Sequence, residues 1–407
     1  MATSPAHKAL VNSSPTSPAE EVAKRQRHEA GLKLKVAEIL QMCFYSPKSL
    51  SHQEYPVWFT HQIFDQEEFE ILQYPDLRIR IYVNTITLYY FVVVINAPSS
   101  SIDYQRIQQI LFPHLIENKF QFGSFDDFLQ YYATENCETA SPLGTVLSSW
   151  SSNDSRFQIR LSSHQTPGAN DLLKSLEKLA IWYIETADSI DFSDSRFELA
   201  IVYEYSTDDD NLPSICGYMT LYTFLNPFLG NKLRICQALV LPHMQGQGIG
   251  RELILAAYQL ASQRDDVVEV TVEDPADGFS KLRDAVDCEI VLTKTDWRSM
   301  LETSDQQKVE SAKSLKMKYS QYVFALEALE YFHLTKDFDQ DPVESGVVDI
   351  LRPFRLKVKK QLMKDHTEVK SAPKDRMRVY LDELFDERRE RYTQVLKNRR
   401  IRSLVNA

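Results

Sequence analysis

Glycine and cysteine are both scarce in this 407-residue sequence, at eleven and five residues. The cysteines Cys43, Cys137, Cys216, Cys236 and Cys288 lie far apart and form no C-x-x-C pair. That spacing argues against a disulfide framework and against zinc, so no metal is expected and the thiols should be reduced and mostly buried. No apolar run reaches the roughly 18 residues of a membrane span, so no membrane partner is expected. The stretch "MATSPAHKALVNSSPTSPAEE" lacks the apolar core of a secretory leader, which predicts an intracellular protein. Hydrophobic residues at 43% and charged residues at 25% are ordinary for globular proteins, and the length allows two to three domains.

Charge is unevenly spread. Residues 352–407 hold 17 Lys or Arg and 8 Asp or Glu, a net of +9; the total of −11 leaves −20 on residues 1–351. An acidic body is a poor platform for nucleic acid and a plausible host for a basic partner, although charge excess also serves solubility alone.

Four segments follow from the patterning. Residues 1–28, rich in Ser, Pro, Thr and Ala, cannot bury enough apolar surface to fold and are expected to be disordered. Residues 29–150 read as an N-terminal α/β domain, with period-two alternation in "LRIRIYVNTITLYYFVVVI". Residues 151–295 alternate helix and strand, which predicts a mixed α/β layer. Within them "NDLLKSLEKLAIWYIETAD" reads as one helix capped by Asn170, with Leu173, Leu176, Ala180, Tyr183 and Ile184 on one face. Then come the strands "FELAIVYEYS", "CGYMTLYTFL" and "LRICQALVL", the helix "GRELILAAYQLASQ", the strand "VVEVTV" and the helix "GFSKLRDAVD". Residues 296–407 read as a C-terminal helical domain, with apolar spacings of three and four in "DQQKVESAKSLKMKYSQYVFALEALEYF" and "DRMRVYLDELFDERRERYTQVLKNRR".

Three of the eleven glycines fall within five residues, in "QGQGIG" from Gln245 to Gly250. A strand feeding a glycine-rich turn that opens a helix makes an anion site. The first N–H groups of the helix have no intrahelical partner, and the dipole favours negative charge there. A Walker A loop needs Gly-Lys-Ser/Thr, but Arg251 and Glu252 follow Gly250. A dinucleotide fold needs G-x-G-x-x-G directly after its strand, whereas Pro242-His243-Met244-Gln245 intervene here. Q-x-x-G-x-G resembles the pyrophosphate loop of GCN5-related N-acetyltransferases, and a turn used only to start a helix remains the plainer reading. His243, before the loop, reads as structural.

One strand later stand Glu273 and Asp274, followed by the strand-ending Pro275. The ordered blocks "HQIFDQEE", "IWYIETADSID", "GYMTLYTF", "LVLPHMQGQGIG" and "EDPADGFSKLRD" resemble the catalytic subunit of type B histone acetyltransferases over about residues 60–290. The resemblance implies the N-acetyltransferase fold, in which the strand before the loop and the next strand splay apart around the acetyl-pantetheine arm. It also implies acetyl transfer from acetyl-CoA to lysine ε-amines in the tail of new histone H four. A WD-repeat propeller chaperone as partner, and both nuclear and cytoplasmic pools, come with it.

Residue by residue, Glu273 matches the family's general base, and Glu185 and Asp274 match acids that assist proton removal. Ala238, Leu239 and Val240 match the strand that bonds the pantetheine arm. Gln245, Gly246, Gln247, Gly248, Ile249, Gly250 and Arg251 match the pyrophosphate loop. Gln66, Glu67, Glu68, Phe197, Tyr222, Thr223 and Phe224 match tail contacts. Phe197 stands where the family favours Trp, and Gln66 where it has an acid; the turn "NPFLGNKL" is less charged than the family's. For Glu185 a salt-bridged helix end is an equal alternative. Two other activities stay open: a histone-binding assembly factor with little catalysis, and an N-acetyltransferase for protein N-termini or small amines.

Overall fold

The computed structural model describes residues 32–46, 49–50, 53–134, 141–152, 155–206, 209–336, 348–366 and 373–406. The segment 1–28 and Cys137 lie outside the described residues. Two compact units are present: residues 1–138 with 175–188, and residues 139–174 with 189–407. They differ from the expected boundaries at 150/151 and 295/296. The 175–188 stretch belongs to the first unit, and the helices after 296 share one apolar core with the second unit's sheet.

Among the described residues, the first unit holds eight strands: β1 (Leu32–Lys35), β2 (Leu40–Ser46), β3 (Ser49–Leu50), β4 (Tyr55–Pro56), β5 (Glu68–Ile71), β6 (Arg78–Asn84), β7 (Tyr90–Ile95) and β8 (Phe120–Gly123). β1 pairs with β5, and the larger sheet runs β3-β2-β6-β7-β8 with β4 beside β2. The long alternating run at 77–95 is therefore a hairpin, broken at Thr85–Tyr89 where Asn84 Oδ1 accepts from the N–H groups of Ile86 and Thr87. Phe128, on the helix Phe125–Thr134, stacks on Tyr82 at 3.9 Å between ring centroids, which seats that helix on the sheet.

The second unit is built on one mixed sheet of β9 (Thr145–Ser152), β10 (Ser155–Ser163), β11 (Phe197–Ser206), β12 (Asp209–Phe224), β13 (Asn231–Val240) and β14 (Val267–Val272). The spatial order is β14-β13-β12-β11-β10-β9. Every pairing is antiparallel except β13 with β14, which is parallel because the helix Ile249–Ser262 crosses between them. That helix buries Ile249, Leu253, Ile254, Ala257, Leu260 and Ala261. Each large aliphatic among them contributes about 1.5–3 kcal/mol by leaving water.

The helix Ala169–Ala180 is shorter than expected. Asn170 lies inside its first turn rather than capping it, and Tyr183, Ile184 and Glu185 fall in the turns that follow. The 305–332 run is likewise two helices, Asp305–Ser314 and Tyr319–Thr335, parted where Lys316 takes φ 57°. Among the described residues, no helix is long and apolar enough to cross a membrane.

Candidate active site

β13 sets the geometry. Its first half is paired on both sides from Lys232 to Ile235, with the last pair to β14 at Ile235–Val272. A bulge follows. Leu221 and Thr220 on β12 face Ile235 and Gln237, so Cys236 is the extra residue. From Cys236 to Val240, β13 pairs only with β12, while β14 has ended. The Glu273 N–H donates to the Ile235 carbonyl at 3.0 Å, the last backbone bond across the fork. Leu239 turns its backbone groups to β12, while Ala238 and Val240 turn theirs to the gap, where no strand pairs with them. Glu273 sits at the mouth of that gap, with 51% of its side chain exposed, and Asp274 beside it is exposed with φ 30°.

Beyond Val240 the chain makes a short 3-10 turn, Pro242–Met244, then Gln245 to Gly248. Gly246 at φ 78° and Gly248 at φ 85° adopt the left-handed conformation that L side chains rarely take. A Cβ on either would meet nothing within 4 Å, so their space is open. Gly250 differs: a Cβ there would lie 2.8 Å from Leu282 Cδ2, so it serves close packing against the helix Asp277–Lys294. Among the described residues, no protein acceptor takes the N–H groups from Gly246 to Arg251. These donors point from an open glycine cradle at a helix start, the chemistry a pyrophosphate needs.

Polar side chains brace the loop from behind. Gln245 Nε2 donates to the Val240 carbonyl at 3.0 Å and Gln247 Nε2 to the His243 carbonyl at 3.4 Å. The Arg251 guanidinium is held by Glu289, with Nε donating at 2.7 Å, and by Glu252. Its charge is thus already matched within the fold. Loss of solvent pushes the His243 imidazole down to about 4, which leaves it uncharged at neutral pH and suits a structural role.

Next to the fork runs an aromatic row. Phe197 and Tyr222 are register partners on β11 and β12, with ring centroids 4.6 Å apart. Tyr222 meets Phe224 edge-on, also at 4.6 Å. Thr223, on the opposite face of β12, donates its N–H to the Arg196 carbonyl. Two residues that the sequence reading did not single out complete this surface. Arg234 lies over the Phe224 ring at 4.1 Å and reaches Glu273 Oε1 at 3.6 Å. The Cys236 thiol donates to the Arg234 carbonyl at 3.9 Å, and its pKa is pushed up to about 12 by burial first and then by the nearby Glu273 carboxylate. The alternation of "KLRIC" puts both on one face, but nothing local reveals what they meet.

In the first unit, Gln62 laces two of the quoted blocks together. Its Nε2 donates to the carbonyls of Ile181 at 2.6 Å and Ile184 at 3.0 Å, while its Oε1 accepts from the Thr186 N–H at 2.7 Å. Glu185 is therefore displayed, exposed, on a braced turn rather than in a helix. Gln66, Glu67 and Glu68 are exposed where the His61–Phe64 turn runs into β5. Phe69 and Ile71 point inward from that strand and fix Glu68 outward.

Comparisons with known proteins agree with this layout. Residues 33–185 match the family model described as the histone acetyl transferase HAT1 N-terminus, and residues 170–279 match that of the acetyltransferase (GNAT) family. The histone acetyltransferase type B catalytic subunit of Candida albicans is 28% identical over 55% of this chain and 56% of its own. That of Homo sapiens is 28% identical over 56% of both chains, and that of Kluyveromyces lactis 29% identical over 58% of this chain and 62% of its own. The matched region spans about half the length of these curated relatives. With an N-terminal and an acetyltransferase match in succession, and the forked strands and glycine loop inside the latter, the chain is similar to the catalytic subunits of type B histone acetyltransferases.

Proposed function

We propose that this protein is a lysine acetyltransferase that uses acetyl-CoA and acts on the N-terminal tail of newly made histone H four. The fork carries the reading: β13 continues past the end of β14, Glu273 stands at its mouth, and the glycine cradle lies at its far end. The open N–H groups from Gly246 to Arg251 suit the pyrophosphate, and the β13 edge at Ala238 and Val240, on either side of Leu239, suits the amides of the pantetheine arm. Acetyl-CoA, when bound, supplies a thioester carbonyl open to attack by an amine.

Glu273 acts as general base. A lysine has a pKa near 10.4, so only about one in a thousand is the free amine at neutral pH. The Glu273 carboxylate takes the proton, directly or through one water, as the amine attacks. Asp274 adds negative potential that favours removal of that proton, and the same part for Glu185 comes from the family resemblance alone. Phe197, Tyr222 and Phe224 offer an apolar surface for the aliphatic stem of a lysine. Gln66, Glu67 and Glu68 attract the basic tail, in keeping with the net −20 of residues 1–351. A WD-repeat chaperone as partner, and residence in nucleus and cytoplasm, follow from the family reading.

The deciding experiment incubates the protein with acetyl-CoA and, in parallel, histone-tail peptides, amino-terminal peptides and polyamines, and reads acetylation by mass spectrometry. Acetyl groups on tail lysines, well above the other substrates, are expected. Preferential acetylation of N-termini or polyamines would sink the substrate assignment. Peptide binding without any transfer would leave an assembly factor.

A further inference from the structure

We propose that Arg234 is a positioning residue for Glu273, clamping its carboxylate against Cys236 and tying it to the aromatic row on β12. The inference deepens the acetyltransferase reading and rests on it.

Glu273 lies one residue beyond the end of β14, where the sheet no longer holds the backbone in register. Its backbone keeps a single bond to Ile235, and its half-exposed side chain would be free to turn. A base that samples several rotamers loses part of its effect, because proton transfer needs a narrow geometry. β13 supplies the restraint. Arg234 and Cys236, two residues apart on one face, flank the carboxylate as cation and thiol. The ion pair is 34% and 51% exposed, so it adds little to stability, and orientation is the greater effect.

Arg234 is itself held from the other side. Its guanidinium lies on Phe224, which contacts Tyr222, which contacts Phe197. It is the register partner of Tyr222 on β12 and of Thr271 on β14, so it spans both strands at the fork. Its Nε is buried and has no hydrogen-bond partner among the described residues, which leaves the stack and the Glu273 contact to fix the group. A peptide lying on the aromatic row would thus press on the residue that aims the base. Lysine at 234 keeps the charge but not the planar stack.

A double-mutant cycle on a lysine-containing tail peptide tests this. Arg234→Gln should lower kcat roughly 10- to 100-fold, the cost of a misplaced catalytic group, with KM changed by less than about threefold. In the Glu273→Gln background the same change should cost less than about twofold, since the group it aims is gone. Arg234→Lys should recover only part of the loss. An equal loss in both backgrounds would mark a merely structural residue and overturn the inference. Wild-type turnover in Glu273→Gln alone would remove the base, and the inference with it, by a different pattern. Labelling of Cys236 by iodoacetamide near about pH 9 reads the clamp without turnover. Glu273→Gln should speed it and Arg234→Gln slow it, each several-fold, as the thiolate fraction changes. Identical rates in wild type and both variants would show that the three groups do not interact.

Discussion

The two halves of β13 have the same alternating pattern and opposite surroundings. From Lys232 to Ile235 the strand is enclosed: β12 and β14 pair with it, and Leu233 and Ile235 sit in the core. From Cys236 to Val240 it is paired on one side only. The enclosed half is reinforced from outside as well. Arg283, on the Asp277–Lys294 helix, donates to the Val270 carbonyl at 2.7 Å, and the Val270 N–H donates to the Lys316 carbonyl at 2.8 Å. Nothing equivalent closes the upper half among the described residues. One strand is therefore held between two partners in its first half and keeps one edge without a strand partner in its second.

Function should then be lost at the open half with little loss of stability. The largest effect is expected for Glu273→Gln: kcat lower by roughly 10²–10⁴-fold, the usual contribution of a general base, with acetyl-CoA affinity and melting temperature unchanged. Steady-state kinetics beside calorimetry would decide. Near-normal turnover at neutral pH would take Glu273 out of that role and leave the fork without its chemistry.

Next comes the cradle. Gly248→Asp puts a Cβ on a residue at φ 85° and a negative charge into a nest of N–H groups. Coenzyme A affinity should fall by about tenfold or more, read by calorimetry on a folded variant. Unchanged affinity would reduce the glycines to a means of starting a helix.

Much of this division is legible in the sequence, and the gaps have physical causes. β11 and β14 match the expected runs "FELAIVYEYS" and "VVEVTV" residue for residue, because strand alternation is a local signal. Glu273 and the glycine cradle stand where strand, turn and helix signals put them. The helix that was expected to run on to Asp188 ends at Ala180 because Gln62, more than a hundred residues away in sequence, takes the carbonyls of Ile181 and Ile184. The break at Lys316 has no glycine or proline to announce it. Arg234 escaped notice because its meaning lies in Phe224 and Glu273, one on each neighbouring strand side. Arg251 matches the loop motif, yet its guanidinium is spent on Glu289 and Glu252.

The enclosed half makes the converse prediction, a change in stability without a change in ligand binding. Asp287 is buried beside Arg283, its Oδ1 accepts from the Tyr258 hydroxyl at 2.6 Å, and burial pushes its carboxyl up to about 7. A carboxyl whose pKa is raised on folding binds more protons in the native than in the unfolded state. Its contribution to stability is therefore greatest below the unfolded value near 4, and it is lost as pH rises toward about 7. Asp287→Asn removes that titration. The melting temperature of the variant, relative to wild type, should rise by several degrees between pH 5 and pH 8, while coenzyme A affinity stays put. A constant difference across that range would mean that Asp287 does not titrate as its surroundings require.

The smallest effect should come from the boundary between the halves. Gly250 follows the cradle, but its φ is not in the left-handed region, and its contact is with Leu282 on the packing helix. In Gly250→Ala the new Cβ would approach Leu282 Cδ2 at 2.8 Å, the far end of a flexible side chain that can turn away. The better helix propensity of alanine, about 1 kcal/mol over glycine in a helix interior and less in the first turn, offsets part of that crowding. Melting temperature should move by no more than about 4 °C in either direction. Coenzyme A affinity should fall by less than about threefold, since no N–H is lost and the open side of the cradle is untouched. The contrast with Gly248→Asp is then the measurement: two glycines, two residues apart, one serving the ligand and one serving the core. If Gly250→Ala weakened coenzyme A binding as much as Gly248→Asp, the line between the enclosed and open parts would have to be drawn through the helix instead of at its start.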